Sequence, residues 1–361
     1  MCMALSIVTI RPVQEGDAEG LAQSNRSLNS PHAPTSLKAV GKIIAASQSS
    51  ISGQGTPTQV NVVAQERWET GEKSIIGGGA VVRMGSDGEL PRLWRPNDDG
   101  SFELFRYTDP TLEFGGVSVA DEAQKRGIGK AISVARALIA KKYGSLFGAE
   151  NVLSDFLPPL DSTETKVNIF WDDLIVKLLE ENGTLDQVMA YCSEKTRIQI
   201  TDTNMLSAVI GNIMSDGDRN AMVDRFFPET IPASKITQEV RDITRRVNGP
   251  TEAARANLLK IYGDAFKIIG AFPINGGPNY AARAELGPTG EGPTPLQVQR
   301  HVENRVKMLL FKPLGEGFEG LRDFKAMMIE GGMNGDQTVI DASTATMTGF
   351  TQGDPVMRFR L

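Results

Sequence analysis

Histidine and cysteine are scarce in this chain, with two of each among 361 residues. His32 and His301 lie far from each other and from Cys2 and Cys192, so no cluster has the ligand spacing of a structural or catalytic zinc, and no metal is expected. Two cysteines cannot build a disulfide framework, which points to a reducing, cytoplasmic compartment. The N-x-S/T triplets at Asn25 and Asn182 then read as chance matches. Basic excess is missing too: 38 Lys and Arg face 44 Asp and Glu, a net charge of −6 that argues against nucleic acid or an anionic membrane as partner. No apolar run approaches a membrane span, and the opening MCMALSIVTIRP has no cationic stretch of the kind that starts a signal peptide. Also absent is G-x-x-x-x-G-K-[ST]; the run Gly77-Gly78-Gly79 sits inside the strand-like IIGGGAVVRM instead of opening a helix, so a P-loop is excluded.

What the chain does have is 40% hydrophobic residues, ample for two globular domains, and one segment with a chemical signature. Thr111 to Ala120, TLEFGGVSVA, reads as a buried strand. After Gln124-Lys125-Arg126-Gly127-Ile128-Gly129, the apolar residues Ile128, Ala131, Ile132, Ala135, Leu138 and Ile139 recur at helical spacing, with Lys130, Arg136, Lys141 and Lys142 between them. A helix therefore starts near Gly127. Its first N–H groups have no partner inside the helix, and with the positive end of the dipole they form a cradle for a diphosphate. Gly127 and Gly129 allow close backbone approach and positive φ. An ordinary glycine-containing strand-to-helix turn is the competing account.

The rest of the pattern is α/β. Strands are expected at Ser6–Val13, Gln59–Gln65, Ser74–Met84 and Asn151–Leu157, with helices from Asp17 as cap to Leu28 and from Leu37 to Ser47. An irregular hairpin is expected between Gly85 and Pro110. A helix over Val167–Glu181 carries Phe170, Trp171, Leu174, Ile175 and Leu178 on one side. Beyond it come a strand at Arg197–Ile200, an apolar helix at Met205–Met214, a second strong helix at Thr251–Tyr262 and a strand at Phe266–Phe272.

The Q/R-x-x-G-x-G/A arrangement after a strand resembles the acyl-CoA signature of the Gcn5-related N-acetyltransferases. A narrower resemblance, to the arginine N-succinyltransferases, runs along the chain in colinear blocks: Ile10-Arg11-Pro12-Val13, Thr35-Ser36-Leu37, Ser154-Asp155 with Phe170-Trp171, Val247 to Arg255, Phe272 to Asn279 and Gln352 to Leu361. It implies an acetyltransferase-like mixed sheet flanked by helices, arranged as two related halves. The expected divisions are 1–190, an acyl-CoA-binding domain, 191–296, a second such half, and 297–361, a small C-terminal extension. One departure matters: where the family carries a histidine regarded as proton donor, this chain has Asn248.

The resemblance further implies transfer of an acyl group from a CoA thioester, most simply succinyl-CoA, to the α-amine of a basic amino acid, most simply arginine. No cofactor is expected to bind tightly, since acyl-CoA is a cosubstrate. Val117, Val119, Gln124, Arg126, Gly127, Ile128 and Gly129 are the expected acyl-CoA-binding residues, and backbone N–H groups between Gly116 and Val119 are candidate oxyanion donors. Asn248, Tyr262 and Asp155 are the candidate catalytic positions. Tyr262 could serve as acid at the end of its helix or simply fill a core; Asp155 could hold or relay the amine proton or lie exposed at a strand end. His301 is read as a surface residue. Asp172 and Asp173 could receive a guanidinium or only complement a helix dipole. Partners are expected to be a small amine and a second subunit, either a copy of this chain or the other member of an α/β pair. Another acyl donor or acceptor, or a CoA-binding subunit without chemistry, are the alternatives.

Overall fold

The computed structural model describes residues 6–27, 34–53, 55–84, 92–106, 110–156, 170–245, 266–268, 272–273, 280–285, 294–312, 315–335 and 337–361. Expectations for Cys2, His32, Asn248 and the Thr251–Tyr262 helix lie outside these residues.

A mixed sheet organises the chain. Strands β1 (Ser6–Pro12), β2 (Gln59–Trp68) and β3 (Lys73–Arg83) pair antiparallel in order, and β3 pairs antiparallel with β6 (Thr111–Val119) after the hairpin β4 (Arg92–Pro96) and β5 (Phe102–Arg106). β6 then pairs in parallel with β7 (Asn151–Phe156). Beyond β7 lie β11 (Tyr280–Glu285) and β9 (Phe266–Ile268), both antiparallel. Stretches assigned by sequence to 1–190 and 191–296 thus share one sheet, because β11 covers the edge that β7 would otherwise leave open.

Helices cover both faces. Helix α1 (Ala18–Arg26) and helix α2 (Leu37–Ile51) lie on one side and helix α3 (Ile128–Tyr143) on the other. The triple glycine of β3 explains how closely they approach: a Cβ on Gly78 would come within 2.5 Å of Leu21 Cδ1 from α1, and one on Gly77 within 3.0 Å of Ile132 Cδ1 from α3. These glycines serve packing. Asp17 does not cap α1 as expected, since its carboxylate is taken by Arg11, at 2.7 and 2.8 Å, and by the Gln14 N–H. A buried arginine in the first strand outcompetes a helix end for the same oxygens.

Residues 170–245 form a helical layer on a second sheet, ordered β10 (Phe272–Pro273), β4, β5 and β8 (Thr230–Ile231). Trp94, Phe102, Phe170, Trp171 and Leu174 share its core, and the Trp171 indole donates to Thr203 O at 3.0 Å. Residues 171–176 are wound as a π-helix before the α-turns of Lys177–Glu181. The strand expected at Arg197–Ile200 does not form; Arg197 takes φ +59° and ends the helix Leu185–Thr196.

The C-terminal strands β12 (Thr294–Gln299), β13 (Val306–Phe311), β14 (Ala326–Asn334), β15 (Gln337–Asp341) and β16 (Pro355–Arg360) pair in a closed circuit, β13–β16–β12–β15–β14 and back to β13. Leu296, Met308, Leu310, Ile329, Ile340, Phe350 and Val356 fill it. β14 also pairs with β1, which fastens this barrel to the main sheet.

Candidate functional site

The site begins where two parallel strands part. β6 and β7 pair only at Thr111–Glu113 with Asn151–Leu153, yet β6 continues to Val119 and β7 to Phe156. Along the same stretch β6 bulges against β3: Gly79 faces Val117 and Ala80 faces Gly115, so Gly116 is the extra residue and is exposed.

After β6 the chain passes through a single 3-10 turn, Asp121–Ala123, anchored by the buried Ala123. Lys125 and Gly127 then take φ of +60° and +89°, and α3 begins. Among the described residues no side chain caps this end, so its first-turn N–H groups have no partner within the helix. Gly129 sits over the strand: a Cβ there would lie 3.5 Å from Val119 and 3.8 Å from Val117. Gln124 turns sideways and donates to Asp121 Oδ1 at 2.8 Å. Ile128 is buried beneath the turn.

Arg126 is held from below. Its guanidinium pairs with Glu66 of β2, which also accepts from Ser6 Oγ at 2.6 Å and is almost fully buried. Burial alone would raise the Glu66 pKa, but hydrogen bonds from Arg126 and Ser6 and the guanidinium charge outweigh it and hold the carboxyl below its ordinary value. Lys307 of the barrel reaches the rim, 3.5 Å from the Arg126 carbonyl, and Leu361 lies beside Gly127.

The catalytic candidates distribute unevenly. Asp155 lies on β7 in register with Ala281, at the end where β7 parts from β6. Asn248 and Tyr262 are outside the described residues. Asp173 is paired with Lys177 at 2.7 Å, whereas Asp172 is pushed upward in pKa by burial and by Asp173, on the π-helical turn. His301 is exposed on the barrel. Among the described residues, no helix is long and apolar enough to cross a membrane.

Two residues of the site escaped the sequence. Glu66 reads as a polar residue of a strand. Arg136 reads as one of the charges on the outer face of α3, but it is buried between α3 and the bulge. Its place on the apolar side, four residues after Ile132 and three before Ile139, is the signal that was there to be used.

No family model and no curated protein matches the sequence. Among solved structures, the arginine/ornithine succinyltransferase subunit AI from Pseudomonas aeruginosa aligns with a TM-score of 0.64 over 99% of this chain and 99% of its own, at 14% identity. The chain has the fold of that subunit. This end-to-end likeness agrees with the fold that the colinear blocks implied. Part of the chain also aligns with a putative GNAT family acetyltransferase from Desulfovibrio desulfuricans, at 14% identity, TM-score 0.25, over 41% of this chain and 72% of the other. A GNAT family acetyltransferase from Brucella melitensis in complex with acetyl-CoA aligns at 21% identity, TM-score 0.23, over 43% and 78%.

Proposed function

We propose that this protein is an acyl-CoA-dependent N-acyltransferase whose acceptor is the α-amine of a basic amino acid, with arginine and succinyl-CoA as the pair to test first. The supporting observation is the conjunction of a parallel strand pair that parts beside a bulge with an uncapped helix N-terminus opened by Gly127. A pantetheine arm would lie along β6 past Val117 and Val119, and its diphosphate would meet the N–H groups that follow Gly127.

Three tasks follow from the chemistry. An α-amine with pKa near 8 must lose a proton before it attacks the thioester. Asp155, at the end of β7 that parts from β6, is our candidate to hold or relay that proton. The oxyanion then needs donors, and our candidate is the backbone at the Gly116 bulge, beside the parted strands. The thiolate leaves last; with a thiol pKa of about 8.5 it departs far more readily than an amine, so absence of an acid at Asn248 costs only ~10²-fold. Tyr262 is the candidate replacement.

Release of CoA thiol tests this. The protein is offered succinyl-CoA or acetyl-CoA with arginine, ornithine, lysine, polyamines or lysine peptides, and products are weighed by mass spectrometry. Acylated arginine or ornithine is expected; acylation confined to peptides would overturn the choice of acceptor. A second reading, a CoA-binding subunit paired with a catalytic partner, is favoured by Asn248 alone and predicts CoA binding without turnover for any amine.

A further inference from the structure

We infer that Arg136 is a positioning residue for acyl transfer: it grips the carbonyl of Gly115, and so aims the N–H of Gly116 at the acyl carbonyl. This deepens the acyltransferase function proposed above and rests on it.

Planarity of one peptide bond links the two ends. The Gly115 C=O and the Gly116 N–H belong to the same peptide group and, in the trans form, point in opposite directions. The Arg136 guanidinium, reaching up from α3, donates to Gly115 O and, at 3.4 Å, to Ala80 O, the carbonyls of two residues paired beside the bulge. Gly116 N–H is therefore turned away from α3, at an exposed residue where a Cβ would meet no described residue within 4 Å.

Such an arrangement has to be built. The stem of Arg136 fits because Gly79 lacks a side chain; a Cβ there would lie 3.1 Å from Arg136 Cδ. The guanidinium lies 5.6 Å from the Phe114 ring centroid and 3.5 Å from Ser133 Oγ. Burial holds its pKa down at about 10, with Glu113 opposing, so it stays charged at neutral pH. An apolar residue would fill the same helix–sheet contact without the cost of desolvating a charge. The charge instead polarises the peptide, strengthening the Gly116 N–H as a donor to a developing oxyanion.

The test reads that donor directly. Acetyl-CoA or succinyl-CoA labelled with 13C at the thioester carbonyl is bound to the protein, and the infrared carbonyl band is compared with that in water. A downshift in the wild type, largely lost in Arg136→Met while acyl-CoA affinity stays within about threefold, is the expected result. In turnover, kcat falls about 10²-fold with KM for acyl-CoA little changed, and Arg136→Lys recovers part of both. Wild-type band position and kcat in Arg136→Met would overturn the inference. If that variant does not fold, Arg136→Lys decides: its band should lie between wild type and water, and a band identical to wild type would count against us. A wild-type protein that binds acyl-CoA with an unshifted carbonyl sinks the role of Arg136 alone, whereas one that binds no acyl-CoA sinks the acyltransferase function with it.

Discussion

Placing one methyl group at each of the two cradle glycines separates fold from ligand. At Gly127 a Cβ meets, among the described residues, only Leu361, at 3.9 Å, so alanine is not crowded there, but the backbone is at φ +89°. The left-handed penalty of roughly 1–2 kcal/mol, reduced by the ~0.4–1 kcal/mol that alanine removes from unfolded-chain entropy, leaves Gly127→Ala destabilised by about 1 kcal/mol. At Gly129 the backbone is already helical and the new methyl makes ordinary contacts at 3.5 and 3.8 Å with Val119 and Val117. Helix propensity then favours alanine by up to ~0.8–1 kcal/mol, less in a first turn, so Gly129→Ala should gain about 0.5 kcal/mol. In the proposed binding mode both methyls obstruct the approach of the diphosphate to the backbone, and both should weaken CoA by about 1–3 kcal/mol. Urea unfolding without ligand gives the stabilities and calorimetry the affinities. Opposite signs in stability with a shared loss of affinity are expected. A Gly129→Ala protein that binds CoA as the wild type does would refute the cradle, and a Gly127→Ala protein of unchanged stability would refute the strain.

Three further outcomes are expected. Since Glu66 titrates below its ordinary value of 4.5 when folded, its pair with Arg126 contributes fully above that pH and is lost as pH falls through the folded value; Glu66→Gln should therefore cost about 1–2 kcal/mol at pH 7 and converge with wild type only once the pH has fallen below the folded value, as thermal unfolding across pH would show. Cys192 is fully buried and its thiol is pushed up to about 12 by burial, so Ellman's reagent should reach it only after denaturation, and fast reaction of the native Cys192 would contradict its packing. Asn248→His should raise the rate with succinyl-CoA and arginine by up to ~10²-fold if the acid has simply been lost, whereas a fall in Tyr262→Phe with no gain in Asn248→His would assign the acid to Tyr262.

How far the sequence carried depends on whether the information was local. The strand–turn–helix around Gly127 was legible because a strand, a glycine that needs positive φ and an amphipathic run follow one another within about thirty residues. The triple glycine was legible as strand, but its purpose was not, since Leu21 and Ile132 that press on it come from helices far away in the chain. Arg136 was hidden because its partners are backbone carbonyls, which carry no letter in a sequence. The sharing of one sheet by β7, β11 and β9 depends on short strands separated by more than a hundred residues, and the barrel closes through a parallel pair, β12 and β15, that no local pattern announces. The helix Leu185–Thr196 buries only Val188 and Cys192 along its length, too little for a stripe to show.

The central claim is that acyl-CoA lies along β6 and ends at the start of α3. Amide hydrogen exchange read by mass spectrometry, with and without saturating CoA, tests it without requiring turnover. Protection should concentrate in peptides spanning Gly115 to Ala131, strongest at the amides after Gly127, and leave the helical layer at Leu185–Phe226 unchanged. Unaltered exchange through Gly115–Ala131 in a protein that calorimetry shows to be CoA-bound would contradict the account.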